Sequence, residues 1–127
     1  MQSSFLVFFG GGLGATLRYG VNLLTLRLLG PTFPWGTLAI NVIGSFVMGL
    51  TAGALALRLC EPFAINARLF AMTGILGGFT TFSAFSLDAF GLWERGEAAS
   101  ALAYVLGSVV LSLAAVSVGL AFARHFA

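Results

Sequence analysis

The chain has 127 residues, of which 59% are hydrophobic and only 8% charged, and its net charge is +2. A soluble domain carries about 25% charged residues, so this composition excludes a water-exposed globule and makes the bilayer the natural solvent. The six cations are all arginine and form no basic run, which excludes a nucleic-acid surface built on phosphate neutralisation.

A membrane-spanning helix needs roughly 20 mostly apolar residues, and four segments qualify. The first runs from about residue 5 to 29 and is interrupted by Arg18 and Arg27. It lacks the positive leader of a signal peptide and is expected to stay in the mature protein. Gly30, Pro31 and Pro34 close it. The second runs over 35–57 without a charge, and Arg58 to Arg68 form the next break. The third covers about 69–93, with Asp88 near its end. Glu94 to Glu97, around Gly96, separate it from the fourth, 98–123. Trp35 and Trp93 fall at segment ends, where amphipathic rings favour the membrane interface. The expected fold is an all-α integral membrane protein of one domain with four transmembrane helices and both termini on one side. Cys60, the single cysteine, permits no intrachain disulfide or zinc site and is assigned no role.

Orientation is not written in the charges. Arg58, Arg68 and Arg124 fall on one side, against Arg27, Arg95 and, if it lies on that half of its helix, Arg18 on the other. Loop arginines normally set topology. An even split means either that six are too few to decide or that copies insert both ways and pair antiparallel. Glycines are dense in the first helix at Gly10, Gly11, Gly12 and Gly14, and Gly49 and Gly53 form a GxxxG pair in the second. They read as close-packing positions. They do not read as a phosphate loop, because no strand precedes them and no lysine follows.

The third segment holds the most informative stretch, Gly77-Gly78-Phe79-Thr80-Thr81-Phe82-Ser83-Ala84-Phe85-Ser86. Adjacent glycines followed by β-branched residues make poor continuous helix. A break there would free backbone groups, which a bilayer tolerates only where they are buried in protein or line a wet cavity. Freed carbonyls suit a hard cation such as Na⁺, and freed amides suit an anion; a glycine-kinked packing helix is the alternative. Phe82 and Phe85 share a helix face, and the positive edge of an aromatic ring can touch an anion weakly enough to release it. Tyr104, Ser108 and Ser112 recur at steps of four as a hydroxyl stripe, able to donate to an anion or to neighbouring helices; Ser117 leaves it. Asn41 lies alone in the apolar second helix, with Thr37 and Ser45 one turn either side. It is either a donor at a pore mouth or polar glue. Gly14, Arg18 and Asn22 share a face of the first helix, where Arg18 either snorkels to the interface or draws anions into a vestibule. No nucleophile–base–orienter set can be assembled, so an enzyme is not expected.

On these residues the chain resembles the Fluc, or CrcB, family of fluoride ion channels. The resemblance covers the whole length. It is carried by Thr16-Leu17-Arg18, by Gly36-Thr37-Leu38 with Asn41, and above all by the stretch from Gly77 to Ser86. Ala84 stands where the family usually has Thr, and Asp88 where it usually has Glu. The resemblance implies an antiparallel, dual-topology homodimer in the cell membrane with two passive fluoride pathways. It implies a structural Na⁺ held by the backbone carbonyls of Gly77 and Thr80 from both subunits. It also implies Phe82 and Phe85 as aromatic contacts, Asn41 beside them, Tyr104, Ser108 and Ser112 as a polar track, and Arg18 at a vestibule. A small dual-topology multidrug exporter would need an acid deep in the first helix, and no acid precedes Glu61. A non-transporting membrane scaffold would need neither a helix break nor aligned hydroxyls.

Overall fold

The computed structural model describes residues 2–56 and 62–126; Leu57, Arg58, Cys60 and Glu61 lie outside the described residues. The chain forms α1 (Gln2–Leu29) and α2 (Trp35–Ala56), then α3 (Pro62–Ala67), which continues through a π-helical segment (Arg68–Leu76) into a last turn, α4 (Gly77–Phe79). After two extended residues come α5 (Phe82–Glu94) and α6 (Ala98–Phe126). Three helical runs among the described residues are long and apolar enough to cross a membrane: Trp35–Ala56, Pro62–Glu94 and Ala98–Phe126. The protein is therefore a multi-pass membrane protein. α1 has 28 residues, about 42 Å at 1.5 Å per residue, but its apolar character is diluted by Arg18, Arg27 and its glycines.

Helix ends follow from local chemistry. Gly30 and Gly96 both adopt φ 79°, the left-handed conformation that ends helices and that only glycine enters without strain. At Gly96 the closure is a Schellman motif: its N–H donates to the Trp93 carbonyl, and the Glu97 N–H donates to that of Leu92. Arg95 then ties the two turns at this end together, donating from Nη2 to the Thr32 carbonyl at 3.2 Å and from Nε to Glu97 at 3.0 Å. The third segment starts earlier than expected, at Pro62, and Arg68 lies inside helix instead of bounding a break. Proline is well suited to the first helical position, where its missing N–H has no partner to lose.

Small residues bring the backbones together. A Cβ on Gly10 would lie 3.0 Å from the Gly74 Cα, and one on Gly78 would lie 3.0 Å from the Gly11 Cα. α1 and the third segment thus meet main chain to main chain. Gly49 faces Val116 and Leu120 of α6, Gly53 meets Ala123, and Gly119 meets Phe46 and Leu50 in return. The GxxxG pair is accordingly the α2–α6 contact. The adjacent glycines of the third segment do not themselves unwind it. Gly77 is helical at φ −64°, ψ −38°, and Gly78 serves the contact with α1.

Gly14→Ala tests this seam, since the added methyl would press on the Ile75 carbonyl and lie 2.8 Å from the Phe79 nitrogen. We expect a loss of about 1–3 kcal/mol, seen as a lower melting midpoint in detergent. Gly20→Ala, whose methyl would meet nothing within 4 Å, should be neutral or gain up to about 1 kcal/mol. Equal midpoints for the two variants would contradict main-chain contact along α1.

Candidate functional site: a break facing a polar cavity

The third segment breaks at Thr80 and Thr81. Thr80 leaves the helix at φ −77°, ψ 155° and Thr81 is extended at φ −155°, ψ 119°. The Thr80 N–H and hydroxyl both donate to the Leu76 carbonyl, at 2.9 and 2.8 Å. The next amide does not continue the ladder: the Thr81 N–H donates to Asn41 Oδ1 at 3.1 Å, and Asn41 Nδ2 donates to the Thr81 carbonyl at 3.3 Å. The Thr81 hydroxyl then caps α5 by accepting from the Ala84 N–H at 3.3 Å, the usual role of an N-cap threonine. The two amides that a continuous helix would aim at the Gly77 and Thr80 carbonyls, those of Thr81 and Ala84, are thus used elsewhere.

Beside the break lies a cavity of about 380 Å³ between α2, α5 and α6. Asn41, Thr80, Phe82, Phe85, Ser108 and Ser112 all line it. The phenylalanine rings sit 5.5 Å apart at 41°. Phe85 is buried, whereas Phe82 is 79% exposed and is left uncovered by its own chain. Ser108 Oγ and Ser112 Oγ are buried without a hydrogen-bond partner among the described residues. A buried hydroxyl without a partner costs stability and marks a place where a ligand or water completes the bonding. No charged side chain is among the lining residues. The lining therefore combines hydroxyl and amide donors with aromatic rings.

Tyr104 departs from the stripe. It is fully buried, packs its ring 5.4 Å from Phe85, and donates its hydroxyl to Asp88 at 3.3 Å. It stands behind Phe85 and does not line the cavity. Beyond it a second cavity of about 420 Å³ opens toward the Arg95 end, with Asn22, Thr37 and Asp88 in its wall. Arg18 is half-buried on α1 and lines neither cavity. Ser117 donates to the Leu113 carbonyl at 2.8 Å, the helix-internal bond expected of a residue outside the stripe. Two site features were not assigned from the sequence. Ser45, placed one turn from Asn41 by helical periodicity but given no site role, also lines the cavity. The partnership of Asp88 with Tyr104 crosses the α5–α6 turn and had no sequence signal.

A multi-pass helical protein with an interrupted span and an uncharged, donor-lined cavity belongs among membrane proteins that handle small ions. Residues 5–120 match the model of the CrcB-like protein, Camphor Resistance (CrcB) family, and the chain belongs to that family. It is 58% identical over 125 residues to a fluoride-specific ion channel FluC of Paracoccus denitrificans, covering 98% of this chain and 97% of the relative. Over 122 residues it is 57% identical to a fluoride-specific ion channel FluC 2 of Nitrobacter hamburgensis, covering 94% and 95%. With a FluC of Rhizobium leguminosarum it shares 54% identity over 127 residues and the full length of both chains.

Ser108→Ala removes an unpartnered buried hydroxyl and should leave stability unchanged or raise it by up to about 1 kcal/mol. Tyr104→Phe strands Asp88 and should cost about 1–3 kcal/mol. Thermal melts in detergent read both; a destabilised Ser108→Ala would mean that the hydroxyl has a structural partner.

Proposed function

We propose that this protein is a passive, fluoride-selective channel of the cell membrane that exports cytoplasmic fluoride and so limits its toxicity. The observation that carries the reading is the cavity beside the break: buried serine hydroxyls without partners among the described residues, two phenylalanine rings and an amide, with no fixed charge in the lining. Donors and ring edges of this kind suit a small anion. A fixed cation would hold it too tightly for conduction. Relatives above 50% identity that carry the name fluoride-specific ion channel support the choice of fluoride.

The driving force needs no cofactor. Fluoride enters acidified cells as neutral HF and is trapped as the anion after dissociation. An inside-negative potential then favours its exit by about 2.3 kcal/mol per charge per 100 mV. Channel action, not catalysis, is what this site can do. Phe82, Phe85, Ser108 and Ser112 would line the anion path, with Asn41 at the break, Tyr104 supporting Phe85 from behind, and Arg18 at a vestibule.

The working unit in this reading is an antiparallel, dual-topology homodimer of four-span subunits. Two observations support a second copy. The Phe82 ring is uncovered, and α1 presents Phe5, Phe8, Leu13 and Leu17 outward. The even division of arginines is compatible with both orientations. A structural Na⁺ also fits the donor chemistry. The carbonyls of Gly77 and Thr80 are oxygen ligands relieved of their helical donors, and two subunits would double a set too small in one. Such an ion would neutralise carbonyl dipoles at the interface. The alternative ligand chemistry finds no support, since the described residues hold no group of three or more His, Cys, Asp or Glu able to bind a metal.

Fluoride efflux from liposomes, set against chloride, is the direct test. We expect fast fluoride release that charges the membrane until an ionophore relieves it, and little chloride release. Phe82→Ile and Ser108→Ala should each slow efflux by about tenfold or more, each removing on the order of 1.4 kcal/mol of stabilisation along the path. Wild-type efflux in both variants would mean that these side chains do not line the path, and no fluoride release from folded wild-type protein would point to a scaffold. Adding lysines to one loop should abolish activity unless oppositely biased copies are mixed; unchanged activity would count against dual topology.

A further inference from the structure

We propose that Asn41 is a positioning residue: its carboxamide, bonded at both ends to the Thr81 peptide, selects the extended conformation there and so aims Phe82 and Phe85 into the cavity. The functional consequence rests on the channel reading; the clamp itself does not.

The geometry of a single residue makes the argument. In an extended residue the N–H and C=O point to the same side of the chain, as in a strand pair that exchanges both bonds across one residue. In a helix they point in opposite directions along the axis. A primary amide offers one acceptor and two donor hydrogens on adjacent atoms. It can therefore close both bonds at once only on an extended residue. Asn41 does so: Oδ1 accepts from the Thr81 N–H and Nδ2 donates to the Thr81 carbonyl. Thr81 is the one residue between α4 and α5 with φ −155°, and it is the residue Asn41 holds. Without the clamp, the Thr81 N–H would turn back toward the Gly77 carbonyl, the partner a continuous helix would give it.

α2 reinforces the same point one turn later. Gly44 leaves room for the Thr80 methyl and the Phe79 ring, so a Cβ there would collide with Thr80 Cγ2. Asn41 and Gly44 thus hold the two residues of the break from one face of α2. The direction in which α5 leaves is set at Thr81, its cap. Phe82 is the next residue, and Phe85 follows one turn along. Restoring helix at Thr81 would rotate both rings relative to Ser108 and Ser112 on α6.

The test separates a positioning residue from an anion ligand. The protein is placed in lipid nanodiscs in fluoride-free buffer, and hydrogen exchange of the Thr81 amide and the ring resonances of Phe82 and Phe85 are read by NMR. Fluoride efflux from liposomes is measured in parallel for wild type, Asn41→Ala, Asn41→Ser and Ser108→Ala. Serine keeps a donor for an anion but is too short to reach both ends of the peptide. We expect Asn41→Ala and Asn41→Ser alike to exchange Thr81 at least about tenfold faster, to move both ring signals without fluoride present, and to slow efflux at least about tenfold. Ser108→Ala should slow efflux with Thr81 and the rings as in wild type. Two results would overturn the proposal. One is an Asn41→Ser protein that conducts like wild type. The other is slowed efflux in either Asn41 variant with Thr81 exchange unchanged, which would make Asn41 a ligand only. Should Asn41→Ala fail to fold, Asn41→Ser carries the same comparison. A wild-type protein that releases no fluoride would sink the channel reading, while Thr81 exchange would still decide the clamp.

Discussion

A backbone amide in hydrocarbon must find a partner inside the protein, and this structure is arranged around one place where the helix does not supply it. Two residues leave the ladder at Thr80 and Thr81, and two of the freed donors are caught by side chains: that of Thr81 by Asn41, that of Ala84 by the Thr81 hydroxyl. The carbonyls on the other side of the break are not caught in the same way. The Thr81 and Ala84 donors are satisfied while the Gly77 and Thr80 carbonyls they would have met are released, which gives the interruption a polarity. One side can offer oxygen atoms to a cation, while the capped start of α5 faces a cavity suited to an anion.

The surrounding helices make that arrangement possible by removing side chains. α1 lies against the third segment through glycines, and α2 lies against α6 in the same manner. Contacts this close leave little freedom for the segments to shift. The π-helical turn Arg68–Leu76 belongs to this frame. A wider helix is uncommon and is found mostly where function bends a chain away from regular geometry. Here it ends one short turn before the break and presents Gly74 to Gly10.

Much of this was legible in the sequence because bilayer physics leaves few choices. Charge-poor runs gave the helices, and glycine and proline gave the turns. The stretch from Gly77 to Ser86 announced an interruption. Its position within that stretch was not legible, since Gly77 and Gly78 carry the low helix propensity yet remain helical, and the bend falls on two threonines. The reason is long-range: Asn41 is 40 residues away and bonds Thr81 alone. The π-helix was equally hidden, because Arg68–Leu76 has the composition of any apolar helix. Tyr104 illustrates the limit of periodicity. A spacing of four placed it correctly on the face of Ser108, but depth within the bundle, not angle, decided that its hydroxyl would meet Asp88.

The clamp also has a direction in time. Synthesis runs from the N-terminus, so early segments emerge before later ones. Both surfaces that shape the interrupted segment, the glycine face of α1 and the Asn41–Gly44 face of α2, precede it in the chain. The most awkward stretch of backbone thus emerges after both of those surfaces, and α6, which supplies the Ser108 and Ser112 wall, emerges last. Exchanging the order of the segments while keeping every contact would bring that stretch out ahead of the partners that satisfy it. The chain order therefore serves biogenesis as well as architecture.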